Sequence, residues 1–153
     1  MIVVSDTSPI SNLIDIGLDR LLVEMYREVI VPQAVHDELR KVHPNLPDFL
    51  RVEKIQDERA VGLLKAELDL GEAEAVVLAK ELHADVLLMD EQEGRRVAIR
   101  EGLRVVGLLG VLMEARQEKK IGPLKPVLER LQSVAGFWMT DKLKTEVLKS
   151  VGE

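Results

Sequence analysis

The sequence predicts an α/β fold, a mostly parallel sheet carrying helices on both faces. Strand-like and helix-like stretches alternate along the whole chain. The run Val86-Leu87-Leu88-Met89 has no polar alternation, as expected of a strand covered on both sides in a parallel sheet.

In chain order, Ile2-Val3-Val4-Ser5 is an apolar strand ending at Asp6. Thr7-Ser8-Pro9 then reads as a helix start, with Ser8 or Thr7 as cap and Pro9 in the first helical position. Ile10, Leu13, Ile14, Leu18, Leu21, Leu22 and Met25 recur at helical spacing, with a break near Gly17. Val29-Ile30-Val31 is a second strand, and Pro32 starts a helix over residues 33–42. Val35 and Leu39 form the buried side of that helix, with Glu38 at its border. His43-Pro44-Asn45-Leu46-Pro47 ends it, and residues 49–55 include a short edge strand in which Leu50 and Val52 alternate with Arg51 and Glu53.

A helix over residues 60–68 leads into Asp69-Leu70-Gly71. The next helix opens with Glu72 and Glu74, both expected in its first turn, where the helix dipole favours negative charge. Ala73, Ala75, Val76, Val77, Leu78, Ala79 and Leu82 make it apolar around most of its circumference, which suits an interior layer. The strand at residues 86–89 ends at Asp90-Glu91. A helix over residues 94–101 carries Arg95, Arg96 and Arg100, and Gly102 stops it. Val105-Val106 is a short strand, followed by a helix over residues 108–118 and a turn at Gly122-Pro123. Leu124, Val127, Leu128 and Leu131 mark another helix, Phe137-Trp138-Met139 is extended and apolar, and Thr140-Asp141 starts the last helix. With no repeat, low-complexity tract or linker, a single domain over residues 1–153 is expected.

Composition excludes several function classes. Hydrophobic residues at 46% and charged residues at 31% describe a folded globular chain. Without cysteine there is neither a disulfide framework nor a thiolate metal site. No apolar run reaches membrane-spanning length and no secretory signal opens the chain, so a cytoplasmic protein is expected. Aromatics at 3% argue against a track of stacked bases, and a net charge of −6 argues against nonspecific coating of nucleic acid. The charge leaves room for a nuclease whose metal site is itself acidic.

Acids recur at equivalent topological places: Asp6 after the first strand, Glu38 in the helix after the second, Glu72 and Glu74 at a helix start, and Asp90 after a later strand. Each has an ordinary local explanation as a cap, a turn residue or a solvated helix face. Ligands of open α/β sheets bind beyond the carboxyl ends of the strands, however, so these acids are placed to line one cleft. Gathered carboxylates raise one another's pKa unless a cation joins them. Oxygen donors without cysteine select Mg²⁺ or Mn²⁺, which suits hydrolysis of a phosphodiester by an activated water.

The segments VVSDTSP, IVPQAVHDEL, LGEAEAVVLA and VLLMDEQEGRRVA resemble the PIN domain, and more narrowly its VapC-like prokaryotic toxin branch and the uncharacterised relatives of that branch. The resemblance runs in the family's order through GLLGVL. It implies a three-layer α/β/α fold, a Mg²⁺- or Mn²⁺-dependent ribonuclease acting on RNA, a homodimer, and often an antitoxin partner. By motif, Asp6 and Glu38 match the first and second acids of the family, Asp90 the acid after the fourth strand, and Thr7 or Ser8 the hydroxyl beside the first acid. The third acid is Glu72 or Glu74, where many relatives carry Asp. The two lie roughly 200° apart on a helix, so one metal site does not take both. Glu91 reads as a further ligand or, more simply, an exposed acid at a helix start. Arg95 and Arg96 are candidates to meet a phosphate at the cleft rim.

A second reading keeps the fold without the catalysis, as a binding module acting through a dimer or antitoxin interface of apolar helices. A phosphoryl-transferring phosphatase is disfavoured because Ser8 stands where a second Asp is needed.

Overall fold

The computed structural model describes residues 1–153. Five strands, β1 (Val3–Ser5), β2 (Val29–Pro32), β3 (Leu50–Glu53), β4 (Val86–Leu88) and β5 (Val105–Val106), form one sheet in the order β3-β2-β1-β4-β5. Every pairing is parallel, so the expected mostly parallel sheet is wholly so. Register is set by pairs such as Val4 with Ile30 and Ser5 with Leu88.

Nine helices cover the sheet: α1 (Thr7–Asp15), α2 (Arg20–Tyr26), α3 (Gln33–Val42), α4 (Glu58–Leu64), α5 (Leu70–Glu81), α6 (Gln92–Arg100), α7 (Leu108–Gln117), α8 (Leu124–Ser133) and α9 (Asp141–Ser150). Side chains alternate across a strand, so the central strands feed two cores. Val3, Val29, Val31, Val86 and Leu88 pack with Ile10, Leu13, Leu22, Leu39, Leu112 and Leu128 on the face covered by α1–α3 and α7–α9. Val4, Ile30, Leu87 and Met89 pack with Val61, Val76, Leu78 and Val97 under α4–α6. The result is a three-layer α/β/α arrangement. The central strands read as unbroken apolar runs because both of their faces are covered.

Strand order turns at β1: the chain lays β2 and β3 to one side, then returns to place β4 and β5 on the other. Such a switch point opens a crevice beyond the carboxyl ends of the two central strands. Asp6 leaves β1 there and Asp90 follows β4, so both emerge at the same edge of the sheet.

Several boundaries differ from the sequence reading. Asp6 is the N-cap of α1 and Thr7 its first residue, which puts Pro9 third. Proline is harmless there because the first helical N–H groups lack intrahelical partners anyway. Helix α5 starts at Leu70 behind Asp69, so Glu72 lies in the first turn and Glu74 beyond it. Asp57 caps α4, which starts and ends earlier than the apolar spacing suggests.

Candidate active site

Burial selects Asp6. Its carboxyl belongs to a residue only 6% exposed, and its backbone N–H donates to Leu88 O at 2.9 Å, locking the end of β1 to β4. As N-cap it makes no side-chain bond to the next turn, which leaves the carboxyl facing the crevice. Burial, above all, raises its pKa from 3.8 to about 7. The Thr7 backbone N–H offsets part of that rise, and the charges of Glu72, Asp69 and Glu38 add to it.

Around Asp6 lies a cavity of about 270 Å³ with no hydrophobic lining, formed by Asp6, Thr7, Ser8, Ser11, Asn12, Glu38, Asp69, Glu72 and Glu91. These residues come from the start of α1, the middle of α3, the start of α5 and the start of α6. Glu38 accepts a hydrogen bond from the Thr7 hydroxyl at 2.5 Å. It also lies so close over Gly71 that a Cβ there would meet its Oε1 at 2.5 Å, so only glycine admits the carboxylate in this position. Glu72, 8% exposed, closes a capping box with Asp69: Asp69 Oδ1 accepts from Glu72 N at 2.8 Å and Glu72 Oε1 from Asp69 N at 3.1 Å. Burial raises the Glu72 pKa, helped by the charges of Asp69 and Glu91.

Glu74 turns elsewhere. Its Oε1 accepts from Ala34 N at 3.1 Å, satisfying one of the free N–H groups at the start of α3. The two glutamates are thus divided by helix phase, one into the cavity and one into a helix–helix contact.

Asp90 stands at the boundary of a second cavity, of about 490 Å³, lined also by Arg95, Val106, Gly107 and Trp138. Its Oδ1 accepts from Leu108 N at 2.8 Å, the first N–H of α7, while its Oδ2 is buried without a partner. Burial raises its pKa, and the Leu108 bond and the charge of Arg95 oppose that rise. Arg95 donates to Met89 O at 3.1 Å. Arg96 points away, paired with Glu67 and Glu93 on the exposed face of α6.

Every donor around Asp6 is an oxygen or the amide of Asn12, which fits a hard divalent cation such as Mg²⁺ or Mn²⁺. The orphaned Asp90 Oδ2 fits the same role. As the side chains lie, no three Asp, Glu, His or Cys residues are closed around a single point at metal-holding spacing.

A family model described as a PIN domain matches residues 2–153. The chain belongs to the PIN-domain family. PIN domains are generally nucleases, act on nucleic acid and generally use divalent metals. A search of curated proteins found no match. No helix of this PIN domain is long and apolar enough to cross a membrane.

Asp69 is not among the acids singled out from the sequence, although Asp-Leu-Gly-Glu carries the spacing of a capping box. Ser11 and Asn12 gave no signal beyond lying one helical turn after Thr7 and Ser8, on the same side of α1.

Proposed function

We propose that this PIN domain is a Mg²⁺- or Mn²⁺-dependent endoribonuclease, with Asp6, Glu38, Glu72 and Asp90 as the acids that hold the metal. The observation that carries this is the burial of Asp6 among other acids in a wholly polar cavity at the sheet's switch point. A carboxyl held near neutrality by desolvation and like charge is costly for a fold to keep, and a divalent cation relieves both effects.

The chain's own groups divide the work. Asp6 and Glu72 both present carboxylates to the cavity. Thr7 orients Glu38 through its hydroxyl. Leu108 N holds one oxygen of Asp90 and leaves the other free. Arg95, which lines the second cavity with Asp90, supplies the cation for a substrate phosphate in this reading. When bound, the metal lowers the pKa of a water and offsets charge on the phosphoryl oxygens. Glu74 and Arg96 fall outside this set, being engaged with α3 and with Glu67 and Glu93.

The family resemblance further supports a toxin of a toxin–antitoxin pair, working as a homodimer in the cytoplasm. Co-expression with the product of the neighbouring reading frame tests this: growth arrest by the protein alone, relieved by the neighbour, is expected. Activity is tested by incubating purified protein with RNA and Mg²⁺ or Mn²⁺ beside Asp6→Asn. Metal-dependent cleavage lost in the variant is expected, with a rise in wild-type Tm on adding Mn²⁺ that the variant lacks. Equal cleavage by both proteins would mean contamination and end the proposal. Absence of Mn²⁺ binding at millimolar concentration would favour a binding module instead.

A further inference from the structure

The second cavity has a feature the nuclease reading leaves unused. Trp138, the only tryptophan of the chain, is 81% exposed on its wall. An indole left this open is unusual, because Trp is among the side chains that gain most from burial. Its neighbours explain how it is held there: Met139 is buried at 5% exposure and Phe137 packs against the large core, so the segment between α8 and α9 is pinned on both sides of Trp138. Asp90 and Arg95 line the same cavity, with Val106, Leu109 and Leu143 as apolar lining. Gly107 lies against these charges, and a Cβ there would meet Arg95 Nη1 at 2.7 Å and Asp90 Oδ1 at 2.9 Å.

We propose that this cavity is a subsite for one nucleobase of the RNA, stacked on Trp138, with Arg95 at the phosphate between that nucleotide and the acids. The inference rests on the nuclease reading and adds the part of the substrate that it recognises. A nucleobase is favoured over an apolar protein segment because the cavity combines one planar face, one cation and Asp90, the chain neighbour of Glu91 in the acidic cavity. Its volume of about 490 Å³ lies within the range for small-molecule sites, ample for a nucleotide and small for a protein interface. A single stacking position is also consistent with a chain only 3% aromatic, which has no means to build a track of them.

Because Trp138 is the sole indole, its fluorescence reports the site directly. Asp6→Asn protein in Mg²⁺ would be titrated with a short single-stranded RNA, and with the same ribose-phosphate chain lacking bases. Saturable quenching by the RNA and little by the abasic chain is expected. Equal quenching by both, or none from an RNA shown to bind by anisotropy, overturns the subsite. A fluorescence change with protein concentration alone, without RNA, would assign the face to a second copy of the chain and also overturn it. In kinetics, Trp138→Ala should lower the ratio of kcat/KM for RNA over that for a small aryl phosphodiester about tenfold, and Trp138→Phe should restore most of it. An unchanged ratio counts against stacking. Base-dependent quenching by a wild-type protein that cuts nothing would remove the nuclease reading and leave this subsite standing. Cleavage without quenching would do the reverse.

Discussion

Asp6 concentrates the chemistry in one buried carboxyl, and its ionisation leaves a mark on stability. With a pKa of about 7 in the folded chain against 3.8 when free, it keeps a proton on folding over that interval. The folded state then binds more protons than the unfolded one, so stability falls as pH rises from about 4 to about 7 and is lowest above. At about 1.36 kcal/mol per unit, the loss from this group is on the order of 2–4 kcal/mol in metal-free protein. Denaturant titration in EDTA at pH 5 and pH 8 measures it, and Asp6→Asn is expected to flatten the difference. Mg²⁺ is expected to raise the Tm more at pH 8 than at pH 5, because it binds the ionised form. Gly71 offers a second test at this scale. Gly71→Ala leaves the fold intact, since the clash falls on the far end of the Glu38 side chain. It displaces that carboxylate, and a loss of roughly 100-fold in RNA cleavage is expected, as follows from misplacing a catalytic group by about 1 Å.

Helix α5 shows what an element decides. Its apolar residues run nearly all round, so its sequence offers no polar face from which to read its rotation. Packing against β1, β2, α3 and α6 sets that rotation, sending Glu72 to the cavity and Glu74 to the start of α3. Glu72→Gln is therefore expected to cut activity by roughly 100-fold or more, as metal-site losses do. Glu74→Gln should leave cleavage nearly intact and cost about 0.5–1 kcal/mol in chemical denaturation, the value of a carboxylate at a helix start. Reversed results would exchange the two roles. Asp69→Ala should cost about 1 kcal/mol through the lost cap. The ion pairs of Arg96 and Arg100 with Glu67 lie on an exposed face and contribute little to stability.

For the whole molecule, the distribution of charge predicts how RNA is held. The net charge is −6, and Arg95 is the only basic residue lining either of the two cavities. Binding of single-stranded RNA at fixed Mg²⁺ should then weaken only gently with salt, with a log–log slope near −0.7, as for about one neutralised phosphate. Affinity measured between 50 and 200 mM salt tests this (roughly the range over which many-contact binders lose most of their affinity). A slope several times steeper would mean that a basic surface outside these cavities carries the substrate.

The sequence by itself determined the alternation of strand and helix, the parallel sheet, and the acids at strand ends and helix starts. Those features follow from local periodicity, and the chain's direction fixes which edge of a parallel sheet receives the residues after each strand. Tertiary structure alone decided that Glu72 rather than Glu74 faces Asp6, that Asp69, Ser11 and Asn12 share the cavity, that Arg96 does not, and that Asp90 borders a neighbouring cavity beside Trp138. The reason is physical. Periodicity gives the relative phase of residues within one element, whereas convergence depends on how elements from distant parts of the chain are rotated and packed against one another.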